Sequence, residues 1–448
     1  MKLSLIVPAA RATSRKRRKA LLPPLGLATV AALTPPDVTV SLTDENVRDI
    51  DFEEQADLVG ITALTVTSKR AYEIADTFRA RGAKVVLGGI HPTVLPEEAS
   101  QHADAVVVGE AEGVWPGLIE DFKANRLQKL YKASERPDLS ALPIPRRDLF
   151  TPGAYRVKNT ISTTRGCPYS CAFCTVTSFF GRTYRCRPVP EVLKEIETFR
   201  GAKFIAFLDD NIVGNPKHAK ELFRGLIPYK LKWVAQCSIT IAKDEELLRL
   251  AAQSGCISLF IGFESVLPQS LAAVGKKINV VDEYEGVIKK IHSFGIGIHG
   301  FFIFGFDQDD KEVFSHTVEF ARKNRIETAQ FDFLTPYPGT AFGKAMDEAG
   351  RIDTKDWSRY GHGLVFQTGS MPRETLEEGH DWAWREFYSL RSIWRRLRYG
   401  RRYSWAFWLA NLTYRARWHG KPGSARRGME RAPGRKDAPE FASSLQNR

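Results

Sequence analysis

The chain lacks the features of a membrane-spanning protein and of a disulfide-linked secreted protein. It has six cysteines in 448 residues, none in the first third, and their spacing is not that of a disulfide framework. The sequence has no uninterrupted apolar run of the ~18 residues that a membrane-spanning helix needs. The apolar start is followed by basic residues, the reverse of the charge order of a secretory signal. These absences favour a reducing compartment and predict a cytoplasmic protein.

The composition is that of a folded, soluble and basic protein. Hydrophobic residues make up 43% of the chain and charged residues 26%, and the length predicts two or three domains. The net charge is +13, with basic residues concentrated in segments 11–19 and 391–436. Nucleic acid, anionic lipid or an anionic cofactor could each bind such charge, and solvated surface charge is a further explanation. Because the sequence has no base-reading module, we expect no nucleic-acid partner.

The first 135 residues have the pattern of a doubly wound, Rossmann-like α/β domain. Continuous Val, Ile and Leu runs at 3–7, 38–42, 58–64, 84–87 and 105–108 alternate with helical patterns. Such runs indicate parallel strands that are buried on both faces. Ligands of these sheets bind where the strands end. The residues expected at those ends include Thr62, Thr65, Gly88, Gly89, His91 and Glu110.

A proline-bearing linker over residues 136–154 precedes a second α/β pattern over residues 155–345. Six strand-then-helix units, with strands near 160–164, 204–208, 233–238, 257–263, 297–304 and 329–334, predict a partial TIM-type barrel. Residues 346–419 have a helical period and contain most of the tryptophans, whereas residues 420–448 have no period and are predicted to be disordered.

Three cysteines follow the first predicted barrel strand. Cys167, Cys171 and Cys174 are separated by three and then two residues, and a loop in this place lies at the carboxyl end of the barrel, where barrel enzymes have their active sites. Three thiolates can bind three irons of a 4Fe–4S cubane and leave the fourth iron open for a ligand. A zinc site is the alternative, but it needs a fourth Cys or His at a conventional spacing. The other cysteines are scattered singly, and we predict no ligand role for them.

This cysteine spacing, with Phe173 before the third cysteine, resembles the radical S-adenosylmethionine superfamily. Motifs at later strand ends, among them 207–211, 262–265, 300–305 and 335–340, fit the same resemblance. The resemblance implies that the open iron binds S-adenosylmethionine, and that one electron, from a donor such as flavodoxin or ferredoxin, cleaves it to a 5′-deoxyadenosyl radical. Helix capping is the alternative role for the polar residues of this group. The residues expected to bind S-adenosylmethionine are Phe173, Asp209, Asp210, Glu264 and Ser265.

The two α/β patterns together resemble the cobalamin-binding radical S-adenosylmethionine enzymes, in the branch of the hopanoid carbon methylases and bacteriochlorophyll side-chain methylases. The resemblance covers residues 1–345 and implies cobalamin near the strand ends of the first domain. Many members carry Asp-x-His-x-x-Gly after the second strand, but here Asn46 stands in the histidine's place. An amide is a poor cobalt ligand, so we expect cobalamin to bind without a histidine from this motif. The alternatives are a tight turn for Gly88 and Gly89 and a hydrogen-bonded loop histidine for His91.

The resemblance implies methylation of an unactivated carbon in a hydrophobic metabolite, such as an isoprenoid lipid or a tetrapyrrole. One S-adenosylmethionine would methylate reduced cobalamin and a second would generate the radical. The alternatives are radical cyclisation, oxidation or rearrangement without methyl transfer, and a cobalamin or redox sensor without turnover. The Trp- and Arg-rich segment 394–408 predicts either peripheral contact with anionic lipid at the inner face of a membrane or aromatic packing over the barrel mouth.

Overall fold

The structure, a computed structural model, describes residues 1–10, 19–361, 363–398 and 403–419. The predicted disordered tail and most of the first basic segment lie outside these residues. The strands are β1 (Lys2–Val7), β2 (Thr39–Asp44), β3 (Leu58–Thr62), β4 (Lys84–Gly88), β5 (Ala105–Val108), β6 (Leu130–Lys132), β7 (Thr160–Ile161), β8 (Thr164–Gly166), β9 (Tyr184–Cys186), β10 (Phe204–Phe207), β11 (Lys232–Cys237), β12 (Cys256–Glu264), β13 (Gly297–Phe304) and β14 (Thr328–Phe333). The helices are α1 (Leu25–Leu33), α2 (Ser68–Ala80), α3 (Ile90–Val94), α4 (Pro96–Ser100), α5 (Trp115–Lys123), α6 (Thr175–Phe180), α7 (Val189–Glu197), α8 (Pro216–Leu226), α9 (Glu245–Gln253), α10 (Pro268–Ala273), α11 (Tyr284–Ser293), α12 (Val313–Lys323), α13 (Ala341–Glu348), α14 (Arg373–Phe387), α15 (Leu390–Leu397) and α16 (Ser404–His419).

The first sheet is parallel and doubly wound, as the sequence predicts. Its strand order is β2-β1-β3-β4-β5-β6, and each neighbouring pair is parallel. Leu5 and Val86 pack in a core on one face of the sheet, and Ile61 and Val85 pack in a second core on the other. Burial on both faces explains the continuous apolar runs. The edge strand β6 has only its middle residue buried, so it gives too short a signal to be predicted.

The second sheet is the partial barrel. Its order is β14-β13-β12-β11-β10-β7, again with parallel neighbours. The predicted first barrel strand is split in two, because the chain leaves the sheet after Ile161. Residues Thr164–Gly166 pair instead with β9 in a separate antiparallel hairpin. This hairpin is the stem from which the cysteine loop projects.

Helix α14 covers the open edge of the incomplete barrel. Tyr388 Oη accepts from the Ala329 amide at 3.0 Å and donates to its carbonyl at 2.7 Å. Trp384 Nε1 donates to the Phe331 carbonyl at 3.0 Å, and His380 Nε2 lies 3.1 Å from the same oxygen. An edge strand exposes unpaired backbone groups that favour aggregation. Three polar side chains spaced four residues apart therefore protect the β14 edge.

Helices α15 and α16 pack against the inner face of the barrel at the amino-terminal ends of its strands. Phe407 lies in one cluster with Phe204, the first residue of β10. The buried guanidinium of Arg396 donates to the carbonyls of Ile326 and Glu327, which directly precede β14. The aromatic packing predicted over the barrel mouth is therefore found at the opposite end of the barrel.

The region between α13 and α14 differs from the helical pattern expected there. Residues 349–372 contain one described 3₁₀ turn, Trp357–Arg359, and an antiparallel bridge between Ile352 and Phe366. Within the residues that the structure describes, no helix combines the length and the apolar character needed to cross a membrane.

Candidate active site

The cysteine loop is held in place by its neighbours at the carboxyl end of the barrel. The buried carboxylate of Asp209, just beyond β10, accepts from the amide and hydroxyl of Thr163 and from the hydroxyl of Thr164. At the other side of the loop, the Ala172 amide donates to the Val274 carbonyl at 3.0 Å. The Ala172 carbonyl accepts from the Phe342 amide at 2.9 Å. The loop is thus anchored to segments that follow three different barrel strands.

The three thiols of the loop are free and partly buried. Burial raises the pKa of Cys174 to about 11, and Cys171 and Cys167 raise it further. Burial also raises the pKa of both other thiols. Asn211 Nδ2 lies 3.9 Å from Cys167 Sγ, so an amide donor faces this sulfur. Because burial favours the protonated thiols, bound iron would have to stabilise the charged thiolates.

The donor set fits a cluster. Among the described residues, no three Cys, His, Asp or Glu side chains are grouped to hold one metal ion. Each thiolate of a cubane binds a different iron, so cluster ligands need not converge on one point. Three thiols that influence one another in one anchored loop therefore suit a 4Fe–4S cluster.

A buried ion pair lies beside the thiols. Lys276 Nζ pairs with the Glu264 carboxylate, and Lys276 acts electrostatically on Cys171 and Cys174. Glu264 has a left-handed backbone with φ of 63°, next to a register shift between β12 and β13. A Cβ on Gly262 would lie 2.2 Å from the Glu264 carboxylate, so a larger residue there would displace that carboxylate. The sequence motif identified Gly262 and Glu264, but no local signal pointed to Lys276.

The other residues predicted for S-adenosylmethionine lie around the same loop. Phe173 is partly buried and packs against the barrel core. Burial raises the pKa of Asp210 to about 6, with a further contribution from Asp209. Ser265 Oγ accepts from the Leu267 amide at 3.1 Å, which is a turn-capping bond. The oxygens of Asp209 already accept from Thr163 and Thr164, so direct contact of Asp209 with a nucleoside stays a prediction.

The residues predicted for cobalamin lie at the strand ends of the first sheet, but several have internal roles. Gly89 has φ of 99°, and a Cβ there would lie 2.7 Å from Thr62 Oγ1, so the turn itself requires glycine. A Cβ on Gly88 would make ordinary contact with Val107. His91 is fully buried, with its ring nitrogens 3.4 Å from Thr65 Oγ1 and 3.1 Å from Glu98 Oε1. His91 is therefore engaged within the domain, as the alternative interpretation expects.

The loop after β2 carries Asn46 in the place of the motif's histidine. The Asn46 side chain is exposed, and its Nδ2 donates to Asp44 Oδ1 at 2.8 Å. Tyr155 Oη donates to the other oxygen of Asp44 at 3.2 Å. The loop thus offers no imidazole. Leu64, which follows β3, is an exposed apolar residue. These residues fit a corrin that is bound without a histidine from this motif.

Glu110 joins the two domains directly at the cysteine loop. Its buried carboxylate accepts from Arg165 in β8 and from Arg185 in β9, each at 2.5 Å. Arg136 lies 3.6 Å from the same carboxylate, and Glu112 also pairs with Arg165. Glu110 was predicted as a cobalamin residue. The structure shows that its carboxylate is engaged in docking the first domain onto the stem of the cysteine loop.

A second contact between the domains involves Glu98. Its carboxylate accepts from Trp357 Nε1 at 3.0 Å and from Tyr72 Oη at 2.9 Å. Trp357 follows the barrel, whereas Tyr72 and Glu98 belong to the first domain. A Cβ on Gly339 would lie 2.6 Å from Val94 Cγ1, so the barrel also approaches α3 closely. The strand ends of both sheets are thereby held near each other.

Comparisons with known proteins agree with this arrangement. Residues 15–119 match the B12 binding domain, and residues 161–321 match the Radical SAM superfamily. The chain is 35% identical over 402 residues to bacteriochlorophyllide d C-12(1)-methyltransferase of Chlorobaculum tepidum, covering 87% of each chain. It is 26% identical over 350 residues to hopanoid C-2 methylase of Rhodopseudomonas palustris, covering 74% of this chain and 66% of that protein. The fold is similar to that of the radical S-adenosylmethionine methyltransferase TsrM from Kitasatospora setae, with a TM-score of 0.62, 19% identity and 78% of each chain covered.

Proposed function

Because this chain belongs to the family of cobalamin-dependent radical S-adenosylmethionine methyltransferases, we propose that it methylates an unactivated carbon of a hydrophobic metabolite. The observation that supports this best is the junction at Glu110. That residue holds the strand ends of the cobalamin-type domain against the stem of the cysteine loop. Methyl transfer between two cofactors and a substrate needs all three within reach of one another, and this junction holds the strand ends of the two sheets near each other.

The protein's own residues bind and orient the reacting groups. Cys167, Cys171 and Cys174 hold the cluster, whose open iron would take the amino and carboxylate groups of S-adenosylmethionine. When bound, the cluster supplies the electron for cleavage and cobalamin supplies the methyl carrier. Glu264 is held by the buried Lys276, so its carboxylate has one fixed position for the nucleoside or the ammonium group. The remaining work of the protein is to keep water from a reactive radical.

The inner wall of the barrel suits an apolar substrate. Residues Leu259, Ile261 and Phe302 belong to the outer core. Because strand side chains alternate, Phe260 and Phe301 project to the inner face, where they are only partly buried.

The same face also carries polar side chains. The His299 ring of β13 lies 4.9 Å from the Phe301 ring, and Gln330 of β14 donates to Asp332 at 2.8 Å. Aromatic side chains combined with a small number of placed polar groups are typical of ligand pockets. The substrate class we favour is therefore a tetrapyrrole or an isoprenoid lipid, as for the two named relatives.

We further propose that a low-potential donor such as flavodoxin or ferredoxin reduces the cluster, and that the protein works in the cytoplasm with peripheral contact to the inner face of a membrane. The donor follows from the chemistry, because cleavage of S-adenosylmethionine consumes an electron that the chain itself cannot supply.

The proposal can be tested on protein purified without oxygen and reconstituted with iron, sulfide and hydroxocobalamin. We expect bound cobalamin in the absorption spectrum. With S-adenosylmethionine, a reductant and a bacteriochlorophyllide or hopanoid acceptor, we expect 5′-deoxyadenosine, S-adenosylhomocysteine and a product heavier by one methylene. The Cys171→Ala variant should form no 5′-deoxyadenosine.

The products and cofactors that are found distinguish methyl transfer from each alternative function. Formation of 5′-deoxyadenosine with substrate turnover but without S-adenosylhomocysteine would favour cyclisation, oxidation or rearrangement. A protein that binds both cofactors and shows no turnover with any apolar acceptor would favour a sensor. Failure to bind cobalamin would contradict methyl transfer by this route.

A further inference from the structure

The last two helices carry a ridge of large apolar side chains that the fold leaves exposed. In α16, Trp405, Leu409 and Leu412 are 37%, 37% and 45% exposed. In α15, Leu390 and Trp394 are 56% and 53% exposed. These five residues are called the docking face. Large apolar patches on a protein surface mark sites of interaction.

The docking face is a regular feature of the helices. Along α16 its residues are spaced by four and then three positions, so they lie on one side of the helix. The opposite side, including Ala406, Phe407 and Ala410, is buried in the cluster at the amino-terminal end of the barrel. Ile393 and Leu397 of α15 are buried in the same cluster. Both helices therefore turn their exposed sides away from the same end of the barrel.

The charged side chains within the segment that carries the docking face are of one sign. The sequence has no Asp or Glu from residue 387 to residue 419. Arg391, Arg395 and Arg398 are exposed on α15, and Arg417 is exposed near the end of α16. The Arg398 guanidinium lies 4.9 Å from the centre of the Trp394 ring. Apolar side chains flanked by arginines are typical of helices that lie in the headgroup region of anionic bilayers.

Tertiary contacts bring Leu21, two residues after Lys19, to this end of the barrel. Leu21 packs against the same cluster as α15 and α16. The Val157 amide donates to the Leu21 carbonyl at 2.9 Å, which ties this stretch to the start of the barrel. Lys19 and Leu22 beside it are both exposed. Lys19 and the arginines of α15 are more than 350 residues apart in the sequence, and both belong to segments that pack on this cluster.

We propose that the docking face is the surface that makes the peripheral membrane contact proposed above, on which this inference rests. It binds a bilayer that contains anionic lipid, with the indoles and leucines at the headgroup boundary and the arginines on the phosphates. Positive charge with no nearby carboxylate in the segment favours an anionic lipid surface over a second copy of this basic chain, which would bring like charges together. Each arginine near an anionic surface strengthens binding about fivefold.

The geometry also assigns an orientation. The docking face lies beyond the amino-terminal ends of the barrel strands, whereas the cysteine loop lies beyond their carboxyl ends. A strand of eight residues such as β13 spans about 26 Å. The bound enzyme would therefore hold its active site away from the lipid surface. Docking recruits the enzyme to the membrane without placing its active site in the bilayer, so the two functions should be separable by mutation.

The test is sedimentation of the full-length reconstituted protein with vesicles. One set contains phosphatidylcholine alone and the other about one third phosphatidylglycerol. We expect binding to the anionic set that weakens as salt is added. The Leu409→Glu/Leu412→Glu variant should bind the anionic vesicles at least about tenfold more weakly. The Arg391→Ser/Arg395→Ser variant should lose affinity for anionic vesicles and most of the salt dependence.

Leu130→Glu is the matched control, because Leu130 is 50% exposed on the edge strand β6 of the first domain. It should bind vesicles like the unaltered chain. Iron content and circular dichroism establish that each variant is folded. The proposal is overturned if the unaltered protein does not bind anionic vesicles, or if Leu409→Glu/Leu412→Glu binds as tightly as the control. A dimer in solution that this variant converts to a monomer would show instead that the face joins two copies.

Discussion

Glu110 offers the sharpest test of how the two domains cooperate. Its buried carboxylate accepts from Arg165 and Arg185. In Glu110→Gln the amide oxygen can still accept from one arginine, but the amide hydrogens then face the other. Breaking one partner of a buried ion pair costs about 3–5 kcal/mol. Because the side chains of Arg165 and Arg185 remain 16% and 20% exposed, water can compensate in part, and we expect a loss of about 2–3 kcal/mol.

That loss falls on the contact between the domains. Since 1.4 kcal/mol corresponds to a factor of ten in an equilibrium constant, the population of molecules with separated domains should grow about 30- to 150-fold. S-adenosylmethionine cleavage uses residues of the barrel alone, so formation of 5′-deoxyadenosine should be retained within about twofold. Methyl transfer needs both domains, and its rate should fall at least about tenfold once the separated state is well populated.

The assay measures 5′-deoxyadenosine and methylated product from the same reaction, with small-angle scattering to follow domain separation. Glu112→Gln is the graded control, because Glu112 pairs with Arg165 and should give a smaller effect. Glu53→Gln, which alters an exposed pair with Arg81, should have none. Equal loss of both products in Glu110→Gln would refute the reasoning, since Glu110 would then act on the cysteine loop itself. Unchanged methylation together with an opened shape would refute it as well.

Three further substitutions test the site and the fold. Gly262→Ala introduces a Cβ 2.2 Å from the Glu264 carboxylate. We expect the affinity for S-adenosylmethionine, measured by equilibrium dialysis, to fall at least about tenfold while the iron content is unchanged. Normal affinity would contradict this role of the glycine. Asp209→Ala removes the acceptor for the Thr163 amide and hydroxyl, so less iron should be incorporated on reconstitution. Full incorporation would show that the loop is held without this carboxylate. Arg396→Met removes the guanidinium that donates to the buried carbonyls of Ile326 and Phe387. Urea titration should give a loss of about 3 kcal/mol, whereas a loss below about 1 kcal/mol would mean that the carbonyls find other partners.

The repeating elements of this protein were predictable from local sequence. Strands such as Lys84–Gly88 and Phe204–Phe207 are buried on both faces, and burial on both faces leaves a continuous apolar run that can be read directly. The cysteine spacing predicted the cluster loop in the same way, because three ligands of one cluster must lie within a short stretch of chain. The replacement of the motif's histidine by Asn46 was visible in the sequence for the same reason.

The roles of individual polar residues were not predictable, because they depend on partners far along the chain. Glu110 was assigned to cobalamin from its position at a strand end, yet its partners Arg165 and Arg185 lie 55 and 75 residues away. Lys276 carried no motif, and its importance appears once Glu264 and the thiols surround it. Asp209 was assigned to the nucleoside, whereas its hydrogen bonds run to the start of the cysteine loop.

The sequence by itself determined which chemistry the chain carries, since the three cysteines and the two α/β patterns are local and need no knowledge of long-range contacts. The tertiary structure alone decided how these parts are joined. It docks Glu110 on the stem of the cysteine loop, covers the β14 edge with Tyr388 and Trp384, and brings Leu21 to the end of the barrel where α16 exposes its apolar ridge. The physical reason is that periodicity and ligand spacing are properties of neighbouring residues, whereas ion pairs, edge protection and surface patches depend on which distant segments the fold brings together.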